Sequence, residues 1–227
     1  MKKKILLFCL VLFANVFFIA QNVNAMGAMA IIVMSASDGF SGAENNIQDF
    51  RNRFDAIMND DEFHRIAGED APIYFGNFAG SRNSLQDFRS RFVAIMDDRE
   101  FDRIAGEDAP IYFGHFAASQ HSLQEFRNRF VAIMNDREFD RIAGEDAPIY
   151  FGNFAGSRNS LQEFRNRFVA IMNDDEFHRI AGEDAPFYYG RFAGSQNSLQ
   201  VFRNRFTAIM NDVEFDRIAG DDAPFYF

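Results

Sequence analysis

Acidic and imidazole side chains stand at helical spacing in two places in the sequence. Asp60 and His64 are four residues apart, and the pair returns as Asp174 and His178. Residues four apart share one face of a helix, so each pair could supply two ligands to a metal ion. The matching histidine position is an aspartate elsewhere, at Asp102, Asp140 and Asp216. Because no calcium-loop spacing accompanies them, and acids near a helix start favour the helix dipole, we predict no metal site.

Groups that could catalyse a reaction are few. The four histidines are His64, His115, His121 and His178, and none lies at a position shared by all copies of the repeat described below. Cys9 is the only cysteine, and the sequence has neither a glycine-rich phosphate loop nor a GxSxG motif. Near-equal units also do not readily form an asymmetric pocket. The sequence therefore predicts a non-enzymatic protein, without catalytic residues or a cofactor.

Arginine alternates with phenylalanine in the recurring sequence FRNRF, for example from Phe126 to Phe130. Arginine stacks on aromatic rings and pairs with carboxylates better than lysine does. One interpretation is a set of contacts between chains. The other is a helix face on which Arg127 and Arg129 pair with acids of the same or the next unit, each pair contributing little to stability. We favour the second interpretation.

Proline and tyrosine stand two residues apart at a fixed period. The five prolines are 38 residues apart, and each precedes a tyrosine by two positions. The apolar neighbours of the tyrosine vary, as they would in a buried strand. A phenol beside a rigid proline, once per unit, also fits a peptide core that is excised from a precursor. The candidate core triplets are Pro72, Ile73, Tyr74; Pro110, Ile111, Tyr112; Pro148, Ile149, Tyr150; Pro186, Phe187, Tyr188; and Pro224, Phe225, Tyr226.

The fixed period divides the sequence into five repeats. With the phase set by Phe227, each unit has 30 residues, and a linker of eight separates it from the next. Residues 26–45, with Gly, Ser and Ala, are interpreted as a flexible lead-in. The repeats are residues 46–75, 84–113, 122–151, 160–189 and 198–227, and the linkers are residues 76–83, 114–121, 152–159 and 190–197.

Each repeat opens with the signals of an amphipathic helix. Ser122 and Glu125 form a capping box, in which the hydroxyl accepts from the first-turn amides and the acid reaches back. Apolar residues follow at the spacing of one helix face: Leu123, Phe126, Phe130, Ile133 and Met134. We expect the phenylalanines of this face to form a recognition or packing surface: Phe88, Phe92, Phe126, Phe130, Phe164, Phe168, Phe202 and Phe206.

The second half of each repeat predicts a short helix and an extended tail. Asn135 and Glu138 resemble a second capping box, and Gly144 fits a left-handed helix end. Ala147 precedes Pro148, which favours extended backbone, so the aromatic segment after it is predicted as a strand or arm. The predicted fold is mainly α: five short helical units, each a helix, a short helix, a Gly turn and an extended aromatic tail, loosely packed or solenoid-like and partly disordered.

Residues 1–25 have the features of a secretory signal peptide. Three lysines, an apolar run from Ile5 to Ala20 and the small residue Ala25 at a cleavage position follow one another. The alternative is an uncleaved anchor, but polar residues interrupt the apolar run short of the ~20 residues of a membrane span. We expect a secreted or secretory-pathway protein with no stable membrane span after cleavage.

The charge of the chain narrows the choice of partners. The net charge is −10, and it becomes −13 without the three lysines of residues 1–25. Such a chain repels phosphate backbones and offers no basic stripe, so we expect no nucleic-acid partner. Arginine without lysine also suits anionic membrane surfaces poorly.

A signal peptide followed by near-identical repeats, each with a Tyr-containing segment, resembles the precursors of ribosomally synthesised cyclic peptides in plants and fungi. In those families a tyrosine is oxidatively crosslinked within a short core, which is then excised. The Pro-Ile-Tyr and Pro-Phe-Tyr triplets look like the core of proline-type cyclopeptide alkaloids. The resemblance implies a modifying oxidase and a processing protease as partners. The sequence departs from it by lacking dibasic cleavage sites and a BURP domain.

Three functional hypotheses remain open. The first, which the sequence favours narrowly, is the peptide precursor. The second is a secreted structural or protein-binding helical array, whose units touch through residues such as Phe130 and Phe139 and whose partner is a second copy or another extracellular protein. The third is a self-associating material, suggested by the aromatic and glycine-rich stretch YFGNFAGS.

Overall fold

The computed structural model of the protein describes residues 39–227. The predicted signal peptide, residues 1–25, and residues 26–38 of the predicted lead-in lie outside the described residues. Residues 39–227 form helices and turns without a β-strand, which confirms the mainly α repeat architecture. None of the helices in this part combines the length and the apolar character needed to cross a bilayer.

The first helix of each repeat, called the long helix, begins where the sequence predicts. Ser122 accepts a hydrogen bond from the Glu125 amide at 3.2 Å. In the fifth repeat Ser198 accepts from the Val201 amide at 3.3 Å, so the cap forms without the acid. Phe126, Phe130 and the other phenylalanines of the predicted face are at most 1% exposed. The long helices are Ile47–Met58, Leu85–Met96, Leu123–Met134, Leu161–Met172 and Leu199–Met210.

The second helix of each repeat begins one residue later than predicted. The Asn135 side chain donates to the Val131 carbonyl at 2.8 Å and thereby closes the long helix. Asp136 is the N-cap instead, accepting from the Phe139 amide at 2.7 Å, so the predicted box at Asn135 and Glu138 is wrong. The second helices are Asp61–Ala67, Arg99–Ala105, Arg137–Ala143, Asp175–Ala181 and Val213–Ala219.

A glycine with positive φ ends each second helix. Gly144 is the helix end that the sequence predicts, but its φ of 65° and ψ of −141° lie outside the predicted left-handed helical region. The segment after it is a 3₁₀ helix, so the predicted extended aromatic tail is wrong. In the fourth repeat Pro186 lies in the first turn of an α-helix, where its missing amide hydrogen is not needed, and Ala185 before it is helical, with φ −47° and ψ −43°. In the other repeats the proline lies inside the 3₁₀ helix. The 3₁₀ helices are Gly68–Tyr74, Gly106–Tyr112, Gly144–Tyr150, Gly182–Asp184 and Gly220–Tyr226.

The segments predicted as linkers each contain a further helix, called the inner helix. Residues 75–79 of the first inner helix are all buried, and the others match it. Their glycines and alanines have small side chains, so neighbouring inner helices can pack closely. The inner helices are Phe75–Gly80, Phe113–Ala118 and Phe151–Gly156; in the fourth repeat one helix, Ala185–Gly194, includes the proline segment as well.

The repeats close into a ring. Arg127 of the third repeat pairs with Asp98 of the second at 2.6 Å, and the equivalent pair across the ends of the chain joins Arg51 to Asp212 at 2.9 Å. The fifth repeat therefore contacts the first as each repeat contacts the next. Around a closed ring every unit buries both of its flanks, which removes the exposed end units of an open array.

Aromatic side chains fill the junction between neighbouring repeats. Phe130 contacts Phe101 and Tyr112 of the preceding repeat, with ring centroids 5.2 and 4.6 Å apart. Phe54 contacts Phe215 and Tyr226 at 5.2 and 4.6 Å in the junction that closes the ring. Edge-to-face geometry at these distances stabilises aromatic pairs beyond their burial. The same wall of rings thus recurs at all five junctions.

Residues 39–45 belong to the ring. The interpretation of residues 26–45 as a flexible lead-in is wrong for this part, because Phe40 and Ala43 are 3% and 4% exposed. Phe40 lies against Phe50 with ring centroids 5.5 Å apart. The amide of Ser41 donates to the Phe227 carbonyl at 2.8 Å. These seven residues complete the inner layer where the fifth repeat meets the first.

Candidate functional site

The tyrosines of the predicted core triplets form a closed circuit of hydrogen bonds. Each hydroxyl donates to the proline carbonyl of the next repeat, as from Tyr150 to Pro186 at 3.0 Å. The last, Tyr226, donates to Pro72 at 3.1 Å and closes the circuit. The other three bonds run from Tyr74 to Pro110, from Tyr112 to Pro148 and from Tyr188 to Pro224, at 3.0–3.1 Å. Tyrosine therefore joins the repeats.

These tyrosines are also removed from solvent. They are 2–4% exposed. Burial raises the pKa of Tyr74 above the ordinary value, and the nearby Asp70 raises it further. The middle residues of the triplets differ from one another, since Ile73 is 3% exposed and Phe187 is 37% exposed. The structure thus places the triplets in five junctions and leaves their phenols inaccessible in the folded ring.

The two arginines of FRNRF make different contacts, both within one chain. Arg127 lies between two carboxylates of the preceding repeat, 2.6 Å from Asp98 and 3.0 Å from Glu100. Asp98 also accepts from the Phe101 amide as the N-cap of its helix. The arginine therefore neutralises a capping acid across the junction. The favoured interpretation of pairing with acids of a neighbouring unit is confirmed for Arg127 and wrong for Arg129, whose contacts are described next.

The second arginine caps the inner helix. Arg129 donates to the carbonyls of Phe154 and Asn159 at 2.9 and 2.7 Å. Its guanidinium lies 4.3 Å from the centroid of the Phe154 ring. A cation at a helix C-terminus satisfies carbonyls that have no partner within the helix. Cation–π and capping contacts thus combine at the end of each inner helix.

The acid and histidine pairs do not meet in a metal site. Asp60 is a helix cap and the partner of Arg89, 2.9 Å away. His64 Nε2 lies 2.8 Å from the Met58 carbonyl, and His178 Nε2 lies 2.6 Å from the Tyr189 hydroxyl. Residues 39–227 contain no group of three or more side chains that could hold a metal ion.

One position of the inner layer varies among the repeats and brings polar side chains to the centre of the ring. The side chains of Asn77, His115 and Asn153 each lie against the glycine that precedes the next residue of the series: a Cβ on Gly152 would lie 2.5 Å from His115 Cδ2. No side chain fits there, so glycine is required. The residues at this position are Asn77, His115, Asn153 and Arg191, all at most 9% exposed, and the buried Gly39. We call them the axial residues.

His115 is held neutral at this centre. It is 2% exposed, and its Nε2 has no hydrogen-bond partner among the described residues. Burial lowers the pKa of His115 to about 3, with the charge of Arg191 as a second cause. Arg191 lies two repeats further along the chain, and successive axial side chains each lie against a glycine of the next linker, so the axial residues follow one another around the centre. His115 is therefore uncharged at neutral pH.

A small pocket opens at the C-terminal ends of the inner helices. Its volume is about 110 Å³. Organic ligands occupy roughly 300–1,000 Å³, so the pocket has room for a few water molecules or a small ion. One corresponding turn of each repeat lines it, with Asn153 from the axial residues: residues 42–44, 80–82, 118–120, 156–158 and 194–196.

The pocket has a polar rim of mixed charge. Arg82 pairs with Glu44, while Arg158 is exposed. The amides of Gln120 and Gln196 donate to the side chains of the asparagines that follow the inner helices. These groups can hold water or a small polar molecule by hydrogen bonds. They include no nucleophile paired with a base, which covalent catalysis requires.

Comparison of the chain with protein-family models, with curated proteins and with solved structures found no match. The function must therefore be argued from the geometry of the ring.

Sequence reasoning missed the axial residues and the segment 39–45. The axial position differs from one linker to the next, as Asn77, His115, Asn153 or Arg191, and no local pattern distinguishes it. The signal for the segment was Phe40, which stands six residues before Asn46 as Phe78 stands six before Ser84. That spacing could have identified residues 38–45 as a degenerate copy of the linker.

Proposed function

We propose that this chain is a non-enzymatic protein of the secretory pathway that acts as an intact folded ring and binds another extracellular protein. The observation that carries the proposal is the closed circuit of five buried tyrosine–proline hydrogen bonds. A chain cut at its triplets would lose every junction. The units therefore support one another only while the chain is whole.

The outer surface offers similar binding faces on the long helices of the second to fifth repeats. On each of these helices, polar and apolar side chains remain exposed beside one another, for example Gln124, Asn128, Val131 and Met134. In the first repeat Asp55 stands at the position of Val131, and Met58 is half-buried. Val131 and Met134 are 36% and 37% exposed, and Met96, Val169 and Met210 are 37% exposed. We call this strip the outer stripe. Several such stripes on one ring suit a partner that itself carries a repeated epitope, because linked weak contacts give high avidity.

The experiment measures how affinity for a partner depends on the number of intact stripes. The intact chain is immobilised, proteins bound from the extracellular fraction of its source are identified, and the affinity of one purified partner is then measured. Met134→Glu alone, and the same change at Met96, Met134 and Met210 together, are compared with the unsubstituted chain. Avidity predicts a steeper loss of affinity with each added change.

Glu145→Gln, at an exposed residue of the 3₁₀ segment away from the stripe, is the matched control and should bind as the parent chain does. Affinity that is insensitive to all of the stripe changes would reject the outer stripe as the binding face.

The peptide precursor is the second candidate, and the recurrence of Pro-x-Tyr in every repeat favours it. Since the phenols are buried in the folded ring, an oxidase would act on the chain before it folds. Tandem mass spectrometry of the source material separates the two proposals. Peptides spanning Asp70 to Phe75 with a loss of two hydrogens at Tyr74 would support the precursor. An intact chain with unmodified tyrosines would support the ring.

A further inference from the structure

The junction that closes the ring is built like the other four but lacks a covalent link. In an inner helix, the amide four residues on donates to each carbonyl. Here the Phe40 amide donates to Tyr226 at 3.1 Å and the Ser41 amide donates to Phe227 at 2.8 Å. Two distant parts of the chain therefore meet with the hydrogen-bond pattern of an inner helix. We call residues 39–45 the closing segment and the site that receives it the slot.

The slot recognises the backbone of the closing segment. Arg205 donates to the carbonyls of Phe40 and Asn45 at 2.8 and 2.6 Å. Asn197 donates to the carbonyls of Ser41 and Ala43 at 3.1 and 3.2 Å. Main-chain carbonyls are common to all sequences, so these contacts accept any peptide that can adopt the same turn.

One side chain and one small residue give the slot its selectivity. The Phe40 ring is 3% exposed and lies 3.9 Å below the guanidinium of Arg205. A Cβ on Gly42 would lie 3.3 Å from the Arg191 carbonyl, which leaves room for little more than glycine or alanine. The covalent linkers carry the same pair, such as Phe154 and Gly156. The slot thus selects phenylalanine followed two residues later by a small residue.

The closing junction is also less tightly held than the others. Arg51 has one carboxylate partner, Asp212 at 2.9 Å, whereas the arginines of the other junctions have two. Glu214, the residue at the second position, pairs with Arg217 of its own helix instead. A cavity of about 450 Å³ lies beside these residues, between the long helix of the first repeat and the second helix of the fifth. Regions with fewer contacts open at lower free energy.

We propose that the closing segment leaves its slot and is exchanged with the closing segment of a second copy of this chain. Reciprocal exchange links two rings through a pair of identical contacts, since the segment meets the same groups in either ring. The exchange depends on the closing junction alone and not on any partner of the outer stripe.

Concentration decides which form prevails. A segment tethered to its own ring competes at an effective concentration on the order of 1 mM. Exchange should therefore involve about half of the molecules near a millimolar chain concentration and a small fraction at micromolar concentration. A free peptide with the sequence of residues 38–45 fits the same slot and should compete with both.

Single cysteines can trap the exchange. A Cβ on Gly42 would lie 3.7 Å from the Cβ of Arg191, within the roughly 3.5–4.5 Å that a disulfide requires. We would mix full-length Gly42→Cys with full-length Arg191→Cys, each in a Cys9→Ser background, and oxidise the mixture. A disulfide between the two variants forms only if the segment of one copy enters the slot of the other.

An internal junction supplies the matched control. A Cβ on Gly156 would lie 3.8 Å from the Cβ of His115, in the same arrangement. Gly156→Cys mixed with His115→Cys should give no disulfide-linked pair, because that linker is covalently held at both ends. Ala118 occupies the same position as these glycines, so a Cβ is tolerated there. Each double variant in one chain should form its internal disulfide, which verifies that the ring folds.

The expected result is a linked pair in the first mixture only, increasing with concentration and decreasing when the peptide of residues 38–45 is added. The proposal is overturned if neither mixture gives a linked pair while both double variants crosslink internally, or if both mixtures give equal amounts. Sedimentation of the unsubstituted full chain provides a second measurement that needs no cysteine. A species of one chain at all concentrations up to about 1 mM would also overturn the proposal.

Discussion

The aromatic junctions between neighbouring repeats, which we call the wall, are the same in every repeat, whereas the centre of the ring differs from repeat to repeat. At each junction the same rings meet, as Phe130 meets Tyr112 and Phe54 meets Tyr226, both at 4.6 Å between centroids. At the centre the axial residues Asn77, His115 and Arg191 share one space and have different side chains.

Geometry explains the difference. A junction brings one face of a repeat against the other face of its neighbour, so a single sequence can satisfy all five junctions. Around the axis, the same position of every repeat lies in one shared space. If the five side chains were identical, five groups of the same size and charge would crowd there. Different side chains, with a glycine among them, fill the space without placing five equal charges together. Equivalent substitutions of the aromatic rings should therefore have equal effects in the wall, whereas equivalent substitutions at the axis should have unequal effects.

The largest effect is expected in the wall. Phe130→Ala removes a fully buried ring, and such changes cost about 3–5 kcal/mol of unfolding free energy. Phe54→Ala makes the same change at the closing junction and should cost the same within about 1 kcal/mol, an allowance for how differently two sites relax. Urea unfolding of both variants measures the two costs. If Phe54→Ala cost less than half as much as Phe130→Ala, the closing junction would be open in solution.

The next effect is specific to the axis and to acid. Below pH 6.5 the unfolded chain binds a proton at His115, whereas the folded chain does not until its pKa of about 3. Acid therefore removes about 1.4 kcal/mol of stability per pH unit in this window, and the stability is restored as pH rises. His115→Asn installs the residue that the first and third repeats already carry, and should lose less stability between pH 6.5 and 4.

The control for the pH experiment is His64→Asp, since aspartate stands at that position in three other repeats. Its stability should follow the parent chain through the window above pH 4.5. Equal pH profiles for the parent and His115→Asn would show that His115 is solvated, against the buried centre described for it.

A methyl group can distinguish the glycines that face the axis. Gly152→Ala places a Cβ 2.5 Å from His115 and should cost about 1–3 kcal/mol through overpacking. Gly76→Ala is the equivalent change where the facing atom is Tyr226 Cδ1 at 3.0 Å, so it should cost less. Thermal unfolding of both variants gives the order. Equal costs would contradict the asymmetry of the centre.

The smallest difference concerns the ion pairs of the wall. Arg127→Ala leaves the capping Asp98 without its cation and should cost about 1–3 kcal/mol. Arg51→Ala should cost about 0.2–1 kcal/mol less. Arg51 loses only its contact with Asp212, whereas Arg127 also loses a contact with the half-exposed Glu100. Chemical unfolding at low and high salt measures this difference, which salt should reduce. A larger cost for Arg51→Ala would contradict the assignment of the closing junction as the weaker one.

The wall could be predicted from the sequence because it follows from local patterns. Ser122 as a cap, the stripe through Phe126 and Phe130, and Gly144 as a helix end each depend on residues within a few positions. The inner layer could not be predicted in this way. Proline favours an extended residue before it, and that rule was overridden at Ala185 because the following tyrosine packs into the next repeat.

Ring closure also could not be predicted from the sequence, for a physical reason. Closure depends on the angle between successive repeats, which small differences in packing set and no single motif encodes. Phe40 and Gly42 preserve the contacts of the slot, while the residues around them have diverged from the linker. The axial residues were missed because no single repeat contains more than one of them.

The measurement that tests ring closure most directly is the nuclear Overhauser contact between Tyr226 and Phe54 in the intact chain, with isotope filtering that selects contacts within one molecule. Their ring centroids are 4.6 Å apart, as close as Tyr150 and Phe168 at 4.7 Å inside the chain. A closed ring predicts cross-peaks of similar strength for both pairs. Cross-peaks from Tyr150 to Phe168, with none from Tyr226 to Phe54, would show an open array and contradict the closed ring.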